Sequence, residues 1–214
     1  MTRTRLIVFA RLPQLGRVKT RLAATIGPQR ALEVYRRLLD TTLALAQASG
    51  ADRLELCVAD DGVPADDGSR TLTATLAARG WTVVPQRGAD LGARMRDALE
   101  RALEQGERPV LLGSDCPVLS PADVQAAFAA LRRADAVFAP TEDGGYALVG
   151  LSRPLPTLFE HMPWGTGEVA ARTRERAHAV QARVAWLRTV WDVDVEADLV
   201  RWERGAGGGP AAAD

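Results

Sequence analysis

Lysine is all but absent from this sequence. Of 27 basic residues, 26 are arginine and one, Lys19, is lysine. A chain so biased places arginine wherever positive charge alone is needed. Lys19 therefore points to a site that wants a compact ammonium, the kind set against phosphate oxygens. Chance survival of one lysine is the competing reading. Cysteine is nearly as scarce: Cys57 and Cys116 are the two, each inside an apolar, strand-like run. That excludes a disulfide framework and fits buried thiols in a reducing cytoplasm. No apolar run approaches the roughly 20 residues of a membrane span. Leu6 to Ala10 is too short for a signal-peptide core and Arg11 breaks it, so a cytoplasmic location is expected. Excess charge is missing too, with 27 acidic against 27 basic residues, and nothing in the totals asks for a nucleic-acid or membrane partner. The two histidines, His161 and His178, accompany no Ser or Cys elbow and build no acid–base triad. There is no Gly-Lys-Ser/Thr triplet and no G-x-G-x-x-G, which removes the Walker A and dinucleotide loops.

What is there is a chain of 214 residues, 47% hydrophobic, enough for one sizeable core. Residues 1–204 read as a single domain and 205–214 as a flexible Gly/Ala tail. Strand-like runs at Leu6–Ala10, Leu54–Ala59, Trp81–Pro85, Pro109–Leu112 and Ala136–Pro140 alternate with helical patterns. The helices are expected over Thr20–Ala48 (interrupted at Gly27-Pro28), Leu72–Arg79, from the Asp90 cap to Gln105, and over Ala122–Arg133. The acidic segment before Leu72 reads as solvated loop through Gly68. Gly144-Gly145 fits a tight reversal into a strand at Ala147–Leu151. A helix over Glu168–Ala179, a strand over Val184–Trp191 and a last helix over Val195–Trp202, capped by Asp194, close the chain. The alternation predicts an α/β fold with a doubly wound, mostly parallel sheet and helices on both faces.

The organising stretch is Pro109-Val110-Leu111-Leu112-Gly113-Ser114-Asp115-Cys116-Pro117. Its apolar run is that of a strand buried on both faces, and it stops abruptly at Asp115. Ligands in open α/β sheets sit beyond the carboxyl ends of strands, so Asp115 stands where chemistry is placed. One reading makes it a ligand for Mg²⁺ or Mn²⁺, since hard cations bound with phosphates need one or two carboxylates. The other makes it a turn-forming aspartate. Arg11 to Arg21, between the first strand and its helix, is a basic loop with Gly16 and Lys19, a natural cradle for phosphate. Acids recur at other strand ends, Asp143 and Asp192. Cationic groups and carboxylates so mixed describe a metal-bridged nucleotide phosphate site.

Five stretches carry a resemblance: Phe9 to Leu22, Gln86 to Met95, Gly113 to Pro117, Asp143 to Tyr146 and Asp192-Val193-Asp194. They resemble the bacterial GT-A-like transferases known as glycosyltransferase A or arsenosugar-biosynthesis-associated glycosyltransferases. More distantly the chain is similar to the 2-phospho-lactate and molybdenum-cofactor guanylyltransferases, which share the nucleotide-diphospho-sugar transferase fold. In place of the glycine-rich opening of the nucleotidyltransferases stands Ala10-Arg11-Leu12-Pro13. The resemblance implies a divalent-metal-dependent, nucleotide-using transferase of the GT-A fold. Glycosyl transfer from a nucleotide-diphospho-sugar, and nucleotidyl transfer from a nucleoside triphosphate to a small phosphorylated acceptor, stand nearly level. A non-catalytic nucleotide sensor is the alternative. The resemblance to the transferases implies Lys19, Arg21, Asp115 and Asp143 as catalytic groups. Nucleotide contacts would come from Ala10, Arg11, Gly16, Lys19, Arg21, Gly92, Arg94 and Ser114. Gly144, Gly145, Tyr146 and Trp164 would line the acceptor side, and Asp115 and Asp192 would hold the metal. The implied partners are a nucleotide or nucleotide-sugar and a small-molecule acceptor.

Overall fold

The computed structural model describes residues 2–60, 62 and 64–207. Among these residues seven strands form one sheet: β1 (Thr4–Ala10), β2 (Arg53–Val58), β3 (Thr82–Pro85), β4 (Arg108–Gly113), β5 (Ala136–Pro140), β6 (Tyr146–Leu151) and β7 (Val184–Trp186). Their order is β3-β2-β1-β4-β6-β5-β7. All pairings are parallel except those of β6, which runs antiparallel to both β4 and β5. The expected reversal at Gly144-Gly145 is this β5–β6 hairpin.

Among the described residues seven α-helices cover the faces: α1 (Thr20–Ile26), α2 (Pro28–Ala48), α3 (Asp67–Ala78), α4 (Leu91–Glu104), α5 (Pro121–Ala130), α6 (Val169–Ala179) and α7 (Glu196–Gly207). Residue alternation along β1 shows how the layers form. Leu6, Val8 and Ala10 face one core, which takes Leu32 and Leu39 from α2 and Phe128 from α5. Ile7 and Phe9 face the other, with Leu99 of α4, Phe159 and Ala177 of α6. A third cluster joins Leu22 of α1, Val34 and Leu38 of α2, and Val193 and Leu199 near the chain's end.

The break between α1 and α2 falls where the sequence predicts it. Gly27 takes φ 83°, a conformation that suits glycine, and Pro28 occupies the first helical turn, where its missing N–H costs nothing. Asp90 caps α4 by accepting from the Ala93 N–H, and Ser120 and Asp123 form a reciprocal capping box on α5.

Four expectations need correction. α3 starts at Asp67, because Asp66 caps it through the Ser69 N–H, so the acidic segment is helical in its last part. β7 ends at Trp186; beyond it the Leu187 N–H still reaches the Phe138 carbonyl and an isolated bridge joins Val190 to Thr141. Asp194 does not cap α7. Asp198 does that work from inside the helix, accepting from the N–H groups of Asp194 and Val195. Finally, α7 continues to Gly207, so 205–207, expected as tail, are helical; 208–214 lie outside the described residues.

Candidate active site

The sheet order creates the site. From β1 the chain winds outward through β2 and β3, then returns to place β4 on the other side of β1. The carboxyl ends of β1 and β4 therefore part company, and a crevice opens between the loops that leave them. A cleft of about 620 Å³ lies there, bounded by the loop after β1 and by Gly113, Ser114 and Asp115 after β4.

At its centre sits Lys19. Its ammonium lies 2.8 Å from Asp115 Oδ2 and 2.9 Å from Asp194 Oδ1. The lysine side chain is 4% exposed, whereas Asp115 is 42% exposed and opens to solvent. Burial opposes the lysine charge, but Asp115 and Asp194 outweigh it and raise the pKa above the ordinary lysine value. Arg21 reaches Asp194 Oδ2 at 3.2 Å and remains largely exposed. Arg11, Arg17, Arg21 and Arg94 all line the cleft. Four guanidinium groups around one buried ammonium suit a polyanion. The two carboxylates keep Lys19 charged.

Of the nucleotide residues implied by the sequence, Ala10, Arg11, Lys19, Arg21, Arg94 and Ser114 line this cleft. Gly16 and Gly92 do not. Gly16 serves the loop's turn, at φ 73°. Gly92 is a packing glycine: a Cβ there would stand 2.3 Å from the Phe159 carbonyl and 2.8 Å from the Trp164 indole nitrogen. The implied acceptor set also lies outside the lining. Tyr146 packs edge-on to Phe138 and Trp164, its hydroxyl buried without a hydrogen bond, and Gly144 is pressed against Gly167. Asp143 spends its carboxylate on its own turn, accepting from Thr141 Oγ1 at 2.5 Å and the Gly145 N–H at 3.0 Å. That is the hairpin-turn role, and it leaves the general-base role with no contact to the cleft.

Sequence reasoning passed over Tyr35, Gln86 and the true orientation of Asp194, all of which line the cleft. Tyr35 and Gln86 carry no pattern that sets them apart from core and loop. A second cavity of about 310 Å³, mostly apolar, lies at the ends of β2 and β3 between Leu12, Val58, Val84 and Pro85, and shares Ala59 with the first.

The metal expectation is tested by the donor chemistry. Among the described residues no group of three or more His, Cys, Asp or Glu side chains is arranged to hold an ion. Two carboxylates with phosphate oxygens suffice for Mg²⁺, however. Burial, then the charges of Asp143 and Asp194, push the pKa of Asp192 to about 6. Asp115 lines the cleft and Asp192 does not, so a second protein donor would have to come from outside the lining.

Comparison with known proteins gives a family, two curated relatives and a solved structure. Residues 42–166 match the family described as "uncharacterized protein conserved in bacteria (DUF2064)". A phosphoenolpyruvate guanylyltransferase of Chloroflexus aggregans is 30% identical over 157 residues, 69% of this chain and 73% of that protein. A 3-phospho-D-glycerate guanylyltransferase of Phenylobacterium zucineum is 33% identical over 196 residues, 87% of this chain and 84% of that protein. Among solved structures, a protein of Desulfovibrio desulfuricans G20 assigned to the nucleotide-diphospho-sugar transferases is 32% identical, with TM-score 0.86, covering 98% of this chain and 90% of that one. No helix among the described residues is long and apolar enough to cross a membrane.

Proposed function

This chain belongs to the DUF2064 family and is a nucleotide-using transferase of the GT-A fold, and on that premise we propose that it transfers a guanylyl group from GTP to a phosphorylated three-carbon acid. The observation that carries the reading is the buried Lys19 ammonium, held by two carboxylates at the centre of an arginine-lined cleft. A triphosphate needs that concentration of positive charge. The two guanylyltransferase relatives act on phosphoenolpyruvate and on 3-phospho-D-glycerate, both small acids carrying phosphate and carboxylate.

In this reading an acceptor phosphate oxygen attacks the α-phosphorus of GTP. The new P–O bond forms as the bond to the β-phosphate oxygen breaks, and pyrophosphate leaves. Lys19 and Arg21 stabilise charge gathering on the phosphates, with Arg11 and Arg17 holding the leaving end. Asp115 and Asp192 would hold Mg²⁺ or Mn²⁺, which when bound neutralises phosphate charge. The apolar cavity beside Ala59 takes the base. Asp143 has no part, because its carboxylate is committed to the turn. The cell compartment is the cytoplasm, consistent with two free buried thiols.

The test is incubation with GTP, Mg²⁺ and each phosphorylated acid, following pyrophosphate. We expect GTP-dependent pyrophosphate release that Asp115→Asn lowers at least a hundredfold. Full turnover in that variant would sink the ligand assignment. Glycosyl transfer is favoured by one observation, the structural likeness to a nucleotide-diphospho-sugar transferase. It predicts free nucleoside diphosphate from a nucleotide-sugar and no pyrophosphate.

A further inference from the structure

The loop from Arg11 to Lys19 has few bonds of its own: the Gln14 N–H to the Leu12 carbonyl, and the Arg17 N–H to the Gln14 carbonyl. Its far end is fastened by buried Val18 and by Lys19 on its two carboxylates. Its near end is fastened from another element. Tyr35, 3% exposed on α2, sets its phenol against both backbone groups of Arg11. The Arg11 N–H donates to the hydroxyl at 2.9 Å, and the hydroxyl donates to the Arg11 carbonyl at 2.9 Å. The same oxygen lies 3.4 Å from Ser114 Oγ, which lies 3.5 Å from Asp115 Oδ1.

Proton counting orders these contacts. A phenol has one proton and can accept from two donors. With that proton on the Arg11 carbonyl, its remaining acceptor site faces the Ser114 hydroxyl. Ser114 also has a single proton, which it points at Tyr35 or at Asp115 and never at both. The phenol keeps its own proton throughout, since burial and then the Asp115 charge raise its pKa.

We propose that Tyr35 is a positioning residue for the transferase, one hydroxyl that fixes the register between the phosphate-holding loop and the Asp115 turn. It acts through Arg11 and Ser114, not on the nucleotide. The inference rests on the phosphate site of the proposed function and adds to it the element that holds the two halves in place. Without the hydroxyl, α2 and β1 still pack, but the point where the loop leaves β1 is no longer tied to β4.

Tyr35→Phe keeps the ring in its core and removes only the oxygen. Expected is a GTP dissociation constant raised about tenfold by titration calorimetry, roughly the worth of one or two hydrogen bonds. The acceptor KM should stay within about twofold, a split that general loosening does not give. Thr42→Val is the structural control. It deletes a buried bond on the same helix, Thr42 Oγ1 to the Leu38 carbonyl, away from the cleft. It should lower Tm by a similar few degrees and leave GTP binding unchanged. If Tyr35→Phe behaves like Thr42→Val, the proposal is overturned. A double-mutant cycle with Ser114→Ala supplies the second reading: the two effects should be less than additive, and full additivity breaks the link between the hydroxyls. Should Tyr35→Phe not fold, Ser114→Ala alone must weaken GTP binding, and no change overturns the register role. A wild type that ignores GTP but binds another nucleoside triphosphate removes only the guanylyl reading, and the comparison then runs with that nucleotide. A wild type that binds none of them overturns both.

Discussion

Lys19 holds φ 47° and ψ 46°, a left-handed backbone conformation that costs a non-glycine residue about 1 kcal/mol or more. Its surroundings over-determine it: the next residue opens α1, Val18 before it is buried, and the ammonium is gripped from both sides. A guanidinium does not replace it. Arginine is planar and longer, and a 4%-exposed slot between two carboxylates leaves no room for its fork. Lys19→Arg should therefore lower kcat/KM about a hundredfold, the scale of losing one positioned charge in the transition state. Steady-state kinetics decides it, and unchanged constants would return Lys19 to the status of an accident. At this scale the placing of the lone lysine and of the strand-end Asp115 in one cleft was legible from residue type and position. Tyr35 was not. Lying among Leu32, Leu38 and Leu39 on α2, it reads as one more core position until the fold sets its hydroxyl beside Arg11.

The segment after β7 is held by backbone bonds to β5 and by one side-chain anchor. Arg188 reaches Asp123 of α5 at 2.8 and 2.7 Å and the Val118 carbonyl at 2.6 Å. The expected eight-residue strand is regular only to Trp186, and its later residues stay beside β5 through the Leu187 N–H to the Phe138 carbonyl at 2.8 Å and the Val190 N–H to the Pro140 carbonyl at 2.9 Å. The same anchor has a pH signature. Hydrogen bonds from Arg188 hold the Asp123 carboxyl down at about 2, below the ordinary aspartate value of about 3.9. A carboxyl lowered in the folded state stabilises fully above its unfolded pKa, and that stability is lost as pH falls toward about 2. Asp135, bonded first of all by the Arg183 N–H, sits at about 2 as well and adds to the slope. The urea midpoint should thus fall between pH 5 and pH 2, and Asp123→Asn should flatten the fall while lowering the midpoint at pH 7. An identical slope in wild type and variant would mean that the pair carries no acid sensitivity. Elements with strong periodicity and caps, β1, α4 and the β5–β6 hairpin, were readable. Asp194 was misread because an aspartate before a helix looks like a cap wherever its carboxylate points.

Across the whole molecule the two halves of the site are 175 positions apart in the chain, yet they meet. The Val193 N–H donates to the Asp115 carbonyl at 3.0 Å, and Asp194 then faces Lys19. No local pattern announces that closure. It follows from the sheet order, which sets β1 beside β4, and from the third apolar cluster, where Val193 and Leu199 dock on α1 and α2. Function should therefore depend on packing behind the cleft, on the side away from the ligand. Leu199 is 5% exposed there, and Leu151, fully buried, belongs to the core on the opposite face. Each change to alanine should cost about 2–5 kcal/mol in stability. Their effects on GTP affinity should differ. Leu199→Ala loosens the segment that carries Asp194, freeing Lys19 from one of its two partners, and should weaken GTP binding several-fold at temperatures where the chain is folded. Leu151→Ala should leave affinity near the wild-type value. Calorimetric titration of both variants, with Tm measured alongside, separates the outcomes: equal affinities would show that the docked chain end and the phosphate site are energetically independent.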